Sequence, residues 1–172
     1  MNIILVGFMA CGKTTIGKAL AKEIKYTFAD TDELIEIQAG MSIPDIFAAL
    51  GEGHFRKYEA DVCQMLLKHD GYVLSTGGGI VINPNNRALL KKTGKVVYLT
   101  ATPEQVMERV KDYTTRPMIN YPDPAKRLKI ITDMLAKRDI MYRNTADFIV
   151  ETVTGNPDKT VAEIAAYVRG KK

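Results

Sequence analysis

We expect the chain to fold as an α/β protein, a three-layer structure in which helices cover both faces of a parallel sheet. Two observations predict this fold. Short apolar runs alternate along the chain with segments of helical period, and the runs lack the polar alternation of half-exposed strands. The first apolar run passes through a glycine-containing loop directly into a helical segment, as a right-handed crossover begins. The strand candidates lie at residues 2–6, 27–29, 72–75, 96–99 and 148–150.

Each helical segment begins near a residue that suits a first helical turn. Proline fits there because its φ is already helical and its missing N–H would have had no partner. The last segment places apolar residues 161, 164, 165 and 168 on one face. Ligands of such sheets bind at the carboxyl ends of the strands, so the residues after each strand are the functional candidates. The expected helix starts are Lys13, Asp32, Pro44, Pro84, Pro103, Pro124 and Pro157.

Length and composition indicate a single globular domain, residues 1–172. The net charge of +4 is mild and spread along the chain, which suits small anionic ligands better than nucleic acid. No apolar run approaches the length of a membrane span, and two cysteines without a disulfide framework fit a reducing cytosol. We therefore expect a cytoplasmic monomer with small-molecule partners, and neither nucleic acid nor a membrane among them.

The stretch from Gly7 to Thr14 matches the phosphate-binding pattern G-x-x-x-x-G-K-[ST] at every specified position. It lies between a strand and a helix, where backbone N–H groups and the positive helix end attract an anion. Lys13 adds a mobile charge for the terminal phosphates, and the Thr14 hydroxyl can ligate Mg²⁺. The prediction is a nucleoside triphosphate site, against a purely structural turn. Cys11 is interpreted as a small residue that fits the loop, with a reactive thiol as the alternative.

Two aspartates follow the second strand candidate, in the triplet Asp30-Thr31-Asp32. One can serve the Mg²⁺ shell while the other faces an acceptor hydroxyl. The alternative for Asp32 is a helix cap, a position that aspartate favours. The third strand ends without the carboxylate that ATPase motors usually place there, and the chain lacks the N-K-x-D motif by which GTPases usually bind guanine.

Three consecutive glycines, Gly77, Gly78 and Gly79, follow the third strand. Such a run is unfavourable in any regular element, so it indicates either a ligand lying against the backbone or positive φ angles. We predict a floor beneath a ligand, with a plain tight turn as the alternative.

Two arginines are candidates for binding a carboxylate. Arg138 shares a helical face with apolar residues, where a desolvated charge is costly unless it meets a carboxylate of the protein or of a ligand. Arg56 has Glu59 three residues later, a spacing that can orient its guanidinium. The alternative for Arg56 is an ordinary surface ion pair.

Residues 112–123 show neither a helical nor an alternating period and include two prolines. A polar loop of this length in a compact domain is usually functional or disordered. We predict a lid that carries Arg116, against a passive loop.

Taken together, these motifs resemble the shikimate kinase family, and the likeness runs through nearly the whole chain. The ordered set is specific, whereas the phosphate loop alone is not. Its members are the phosphate loop, Asp-Thr-Asp at 30–32, Gly-Glu-x-x-Phe-Arg-x-x-Glu at 51–59, Gly-Gly-Gly at 77–79, Arg-Pro at 116–117, and Arg138 with Tyr142. The resemblance implies one three-layer P-loop kinase domain with a parallel five-stranded sheet flanked by helices, acceptor-binding helices at about 32–68 and a lid loop at about 112–123.

The resemblance further implies transfer of the ATP γ-phosphoryl group, with Mg²⁺, to the 3-hydroxyl of shikimate in aromatic amino-acid biosynthesis. The catalytic residues would be Lys13, Asp32 and Arg116, and the metal residues Thr14 and Asp30, the latter acting through water. The nucleotide residues would be Ala10, Cys11, Gly12, Lys13, Thr14, Thr15, Arg109, Arg116, Asn156 and Pro157. Of these, Arg109 would stack near adenine. The shikimate residues would be Asp32, Arg56, Glu59, Gly77, Gly78, Gly79 and Arg138.

One position departs from the family pattern, because Ala10 stands where family loops usually have glycine. If this position has positive φ, alanine costs about 1 kcal/mol there and nucleotide affinity suffers slightly. Two other functions stay open at this point. One is a gluconate-kinase-like enzyme for another polyhydroxy acid, and the other is a non-catalytic nucleotide-binding module, which two carboxylate-binding arginines disfavour.

Overall fold

The computed structural model of the chain describes residues 1–110, 113, 117–152 and 156–170. Its strands are β1 (Asn2–Val6), β2 (Thr27–Asp30), β3 (Tyr72–Ser75), β4 (Gly94–Thr100) and β5 (Phe148–Glu151). Its helices are α1 (Lys13–Ile24), α2 (Thr31–Ala39), α3 (Ile43–Ala49), α4 (Glu52–Leu66), α5 (Pro84–Thr93), α6 (Pro103–Arg109), α7 (Pro124–Thr145) and α8 (Pro157–Val168). Short 3₁₀ turns occupy Ile80–Ile82 and Pro117–Ile119.

The five strands form one parallel sheet in the order β2-β3-β1-β4-β5. This confirms the predicted fold class and every strand candidate, with ends that differ by at most two residues. The strand order reverses at β1, which lies between β3 and β4. In open α/β sheets this reversal opens a crevice at the carboxyl ends of the strands, where ligands bind.

The side chains of β1 enter two separate cores, one on each face of the sheet. Ile3 and Leu5 belong to a cluster formed with α1 and α8, whereas Ile4 and Val6 belong to one formed with α4 and α5. The predicted apolar face of the last helix lies in the first of these cores. Every residue of β1 is buried, which explains why its sequence is apolar without alternation.

Most of the predicted helix starts are confirmed, because prolines occupy the first turns of α3, α5, α6, α7 and α8. The start of α2 was predicted one residue late. Its cap is Asp30, whose side chain accepts a hydrogen bond from the backbone N–H of Asp32. The start of α4 was missed, since Gly51 precedes it with φ 80° and no side chain that could cap. No helix in the described part of the chain is both long and apolar enough to cross a bilayer.

We predict that Gly94→Ala destabilises the protein by about 1–3 kcal/mol, the usual cost of overpacking a core. A β-carbon on Gly94 would run into the backbone carbonyl of Asn2, whose carbon would be 2.7 Å away, and a strand backbone cannot move aside cheaply. The measurement is the free energy of unfolding in urea. The control is Gly53→Ala in α4, where nothing lies within 4 Å and alanine favours the helix by up to about 1 kcal/mol. Equal effects of the two substitutions would contradict the prediction.

Candidate active site

The loop between β1 and α1 needs glycine at two positions for different reasons. A β-carbon on Gly7 would come within 2.5 Å of the Leu99 carbonyl oxygen and 2.8 Å of the Cys11 sulfur. Gly12 has φ 95°, a left-handed conformation that directly precedes the first turn of α1. These constraints explain the fixed glycines of the phosphate-binding pattern. Cys11 is completely buried, in agreement with its interpretation as a small residue that fits the loop.

Lys13 is held in place rather than mobile, which corrects the expectation from the sequence. Its Nζ donates hydrogen bonds to the carbonyl oxygens of Gly7 at 2.9 Å and Phe8 at 2.8 Å. Only 9% of the residue is exposed. The loop therefore carries a fixed positive charge on its inner side, and removing Lys13 would also remove two bonds that shape the loop.

Ala10 has the left-handed conformation that the sequence raised as a possibility, with φ 56°. Lys25, at the end of α1, is the other non-glycine residue with positive φ in the described part of the chain. A residue with a β-carbon is disfavoured there by about 1–2 kcal/mol. Since the loop holds Ala10 this way in the folded chain, the cost falls mainly on folding.

The phosphate loop borders a cavity of about 430 Å³ at the carboxyl edge of the sheet. The loops after β1, β2 and β3 form its walls, so that residues distant in sequence meet there, as the fold predicts. Most of the predicted site residues line it, together with Met9 of the phosphate loop, Thr76 before the glycine run, and Ser75, which the sequence analysis did not propose for the site. The predicted residues in the wall are Ala10, Gly12, Lys13, Thr14, Thr15, Asp30, Asp32, Gly77, Gly78 and Arg109.

One corner of this cavity gathers oxygen atoms. The Thr14 hydroxyl donates a hydrogen bond to Asp30 Oδ2 at 3.2 Å, and the Ser75 hydroxyl lies 3.4 Å from the same Thr14 oxygen. No group of three or more His, Cys, Asp or Glu side chains that could hold a metal occurs among the described residues. A few hard oxygens beside a phosphate site suit Mg²⁺, which keeps several waters and takes its other ligands from phosphates. Ser75 could have been found from its position, since it pairs with Asp30 at the ends of adjacent strands.

The three glycines after β3 give room to functional side chains. A β-carbon on Gly77 would lie 2.7 Å from Asp32 Oδ1, and one on Gly79 would lie 2.8 Å from an Arg56 nitrogen. A β-carbon on Gly78 would be 3.4 Å from the backbone nitrogen of Met9 in the phosphate loop. None of the three has positive φ, so close approach, and not backbone conformation, requires glycine here.

Arg56 bridges two carboxylates on its own helix. It donates to Glu59 Oε2 at 2.7 Å and to Glu52 Oε1 at 2.9 Å. Glu59 is only 2% exposed, so the pair is more than a surface contact. Burial raises the pKa of the Glu59 carboxyl above its usual value, although the hydrogen bond and charge of Arg56 act in the opposite direction. Arg56 and Glu59 lie beside the glycine run, with Glu59 Oε1 3.6 Å from the β-carbon position of Gly77.

Arg138 lies half-buried on α7, with its guanidinium 5.7 Å from the centre of the Phe8 ring in the phosphate loop. No carboxylate within the described residues forms a salt bridge with it. Of the two partners expected for Arg138, a carboxylate of the protein is therefore not found among the described residues. A carboxylate of a ligand stays a prediction. Tyr142, one turn later, donates a hydrogen bond to the Gly78 carbonyl.

The remaining candidates lie at the other end of the cavity or beyond it. Arg109 lines the cavity and donates to the hydroxyl and carbonyl oxygens of Thr152 at 2.8 and 3.0 Å. Asn156 caps α8, accepting a hydrogen bond from the Lys159 N–H, and Pro157 begins that helix. Neither of these two lines the cavity. Arg116 lies outside the described residues, and its role as the lid arginine stays a prediction.

We predict that Ala10→Gly stabilises the protein by up to about 1 kcal/mol, because relief of the left-handed strain exceeds the extra entropy of the unfolded chain. The measurements are the free energy of unfolding and the dissociation constant of ATP. Lys25→Gly is the control, because Lys25 has a similar φ of 60° but is exposed and lies at the far end of α1. We expect similar stabilisation from both and little change in nucleotide affinity. Tighter ATP binding by Ala10→Gly without added stability would contradict this.

The raised pKa of Glu59 predicts a pH dependence of stability. Between its usual value of 4.5 and the raised value, the folded chain binds the proton more tightly than the unfolded chain. The stability of the wild type relative to Glu59→Gln should therefore fall as the pH rises through this window, and stay at its lower value above it. Urea unfolding of both proteins at a series of pH values measures the difference. A difference that is constant with pH would show that the carboxyl is not desolvated.

The chain is similar to known proteins over nearly its full length. The family model described as shikimate kinase matches residues 9–169. A shikimate kinase of Pseudomonas syringae pv. tomato is 44% identical over 165 residues, covering 96% of this chain and 94% of that protein. The structure of a shikimate kinase from Acinetobacter baumannii in complex with shikimate has a TM-score of 0.89 at 37% identity, and covers 99% of this chain and 94% of that one. A gluconokinase from Sinorhizobium meliloti shares the fold alone, with a TM-score of 0.55 at 14% identity. The match covers 99% of this chain and 97% of the gluconokinase. Because the family model and the relatives of higher identity match nearly all of it, the chain belongs to the shikimate kinase family.

Proposed function

We propose that this chain, an ATP-dependent kinase by its family, transfers the γ-phosphoryl group of ATP to the 3-hydroxyl of shikimate in the shikimate pathway. One observation carries this proposal: the phosphate loop and two aspartates line the same cavity, and the two aspartates contact different groups. Asp30 contacts the loop hydroxyl of Thr14, whereas Asp32 lies against Gly77. A phosphate donor and a hydroxyl acceptor can then meet between the two carboxylates.

Positioning and charge neutralisation are what phosphoryl transfer requires of a protein. Residues 10–15 would hold the triphosphate through backbone N–H groups and the positive end of α1. Lys13 would supply a charge that its two carbonyl partners already orient. Arg109 would lie beside the adenine, held by Thr152, and Asn156 and Pro157 at the start of α8 would also serve the nucleotide.

Thr14 and Asp30 fit a magnesium ion, with the Ser75 hydroxyl next to them. When bound, Mg²⁺ would neutralise the negative charge that develops on phosphoryl transfer. Of the protein groups, Thr14 would ligate directly and Asp30 through water. Asp30 also accepts from the Asp32 N–H at 3.0 Å, so the two aspartates are oriented together.

The acceptor would lie over the glycine floor, Gly77 to Gly79, between two cationic groups. Arg56, oriented by Glu59, and Arg138 would hold the shikimate carboxylate, since an arginine fork binds a carboxylate through two parallel bonds. Asp32 would orient the acceptor hydroxyl and take its proton. The helices at about 32–68 would form the acceptor side of the domain.

Residues at about 112–123 would form a lid that brings Arg116 to the phosphates and excludes water. Ile119, within that range, is completely buried in the core shared with α1 and α8. The range would therefore be anchored at this residue, while residues 111, 112 and 114–116 lie outside the described part of the chain. We further propose a cytoplasmic monomer that acts without nucleic acid or membrane partners, as the mild charge and cysteine usage suggest.

We predict that the wild type releases ADP with shikimate far faster than with gluconate, nucleoside monophosphates or no acceptor, and that Arg138→Lys raises the shikimate KM. Because lysine cannot replace the charge-assisted hydrogen bonds of the arginine fork, we expect the shikimate KM to rise roughly 10- to 150-fold. The ATP KM should change little. A coupled ADP-release assay measures all of these quantities.

The control for this prediction is Arg143→Lys on the same helix, where the arginine is exposed and paired with Asp139. It should leave the shikimate KM unchanged. Faster turnover with gluconate would support the sugar-acid kinase alternative, and no turnover with any acceptor would support a nucleotide-binding module.

A further inference from the structure

Tyr142 is completely buried and joins three elements around the proposed acceptor site. Its hydroxyl donates a hydrogen bond to the carbonyl oxygen of Gly78 in the glycine floor. Its ring stacks on that of Tyr98 in β4, with centroids 4.8 Å apart and planes inclined by 24°. The stacked ring leaves the hydroxyl little freedom, so the contact with the floor is fixed by the core.

Arg138 lies four residues before Tyr142 on α7, which places the two side chains on the same helix face. A phenol oxygen can accept a hydrogen bond while its proton is donated elsewhere. Burial raises the pKa of Tyr142 well above its usual value, whereas the charge of Arg138 and a hydrogen bond from it act to lower the pKa. The Tyr142 hydroxyl, which is bonded to the glycine floor, therefore lies on the helix face that also carries the guanidinium.

The floor itself is set closely against the phosphate loop. A β-carbon on Gly78 would be 3.4 Å from the Met9 nitrogen and 3.5 Å from the Gly7 carbonyl oxygen. The Arg138 guanidinium lies over the Phe8 ring of the same loop. Arg138 and the Gly78 partner of Tyr142 therefore both lie against the loop that would hold the donor phosphates.

We propose that Tyr142 is a positioning residue, whose hydroxyl holds the Arg138 guanidinium at a set distance from the glycine floor so that the acceptor carboxylate binds a preorganised fork. This inference rests on the proposed function, in which Arg138 binds the carboxylate of shikimate. A long arginine side chain loses rotamer freedom when it binds, and prior orientation reduces that loss. The consequence is a contribution to acceptor affinity from a residue that does not touch the acceptor.

A purely structural role would give a different result, and the chain offers a matched control. Tyr98 is the other half of the stacked pair, is equally buried, and donates its hydroxyl proton to Asp139 at 2.9 Å. Tyr142→Phe and Tyr98→Phe each remove one buried hydroxyl and keep the stacked rings. They differ in that Tyr142 is bonded to Gly78 and shares a helix face with Arg138, whereas Tyr98 is bonded to Asp139.

The experiment measures shikimate KM, ATP KM and kcat for both variants. We expect Tyr142→Phe to raise the shikimate KM roughly three- to tenfold, the range that loss of one hydrogen bond gives, with the ATP KM unchanged. Tyr98→Phe should lower the urea midpoint but leave the shikimate KM as in the wild type. For an acceptor analogue without the carboxylate, the KM should rise less between the wild type and Tyr142→Phe than it does for shikimate. An unchanged shikimate KM in Tyr142→Phe, or equal increases in both variants, would overturn the proposal.

A second measurement does not depend on shikimate. Urea midpoints of Tyr142→Phe, Arg138→Met and the double variant form a cycle, and we expect the double variant to depart from the sum of the single shifts. The same cycle with Tyr98→Phe should be closer to additive. Additivity in both cycles would overturn the contact on which the proposal depends. A wild type inactive on shikimate but coupled in the first cycle would overturn the proposed function and leave the positioning of Arg138 supported.

Discussion

The site depends on the register of three parallel strands. Leu5 of β1 and Asp30 of β2 both pair with Ser75 of β3, so the three strands end at the same level of the sheet. The loops that follow them are thereby forced together at one edge, where a phosphate loop, a pair of aspartates and a glycine run share one cavity. Glycine is needed where a β-carbon would collide with a neighbouring group, as at Gly7 beside the Leu99 carbonyl of β4 and at Gly77 beside the Asp32 side chain. The chemistry of the site is therefore a consequence of strand pairing.

Two basic side chains near the cavity have different electrostatic surroundings. Lys13, in the cavity wall, bonds to neutral carbonyl groups. Arg56, beside the glycine run, is matched by Glu52 and by the buried Glu59. A buried ion pair adds little to stability, because desolvation of both charges offsets their attraction. Its use here is to hold the Arg56 guanidinium against Gly79, where it faces the glycine floor.

Helix α7 contributes side chains to both cores. Ile131 packs into the core with α1 and α8, while Tyr142 packs into the core on the opposite face of the sheet. Between them Arg138 reaches the phosphate loop through the Phe8 ring. Because separate cores hold this helix on either side of Arg138, the arginine has a defined position. It keeps this position without a carboxylate partner in the described part of the chain.

The sequence alone determined the fold class, the five strands and the phosphate loop, because apolar period, proline placement and a contiguous motif are local properties. It placed Asp30, Asp32, Gly77 and Arg138 at strand ends or on a helix face for the same reason. Only the tertiary structure decided that Lys13 is held by the loop, that Glu59 is buried, and that Ser75 joins Thr14. It also decided why Gly77 and Gly79 are needed, since the side chains that approach them, Asp32 and Arg56, come from helices α2 and α4. These features depend on distances between segments far apart in the chain, which local patterns do not contain.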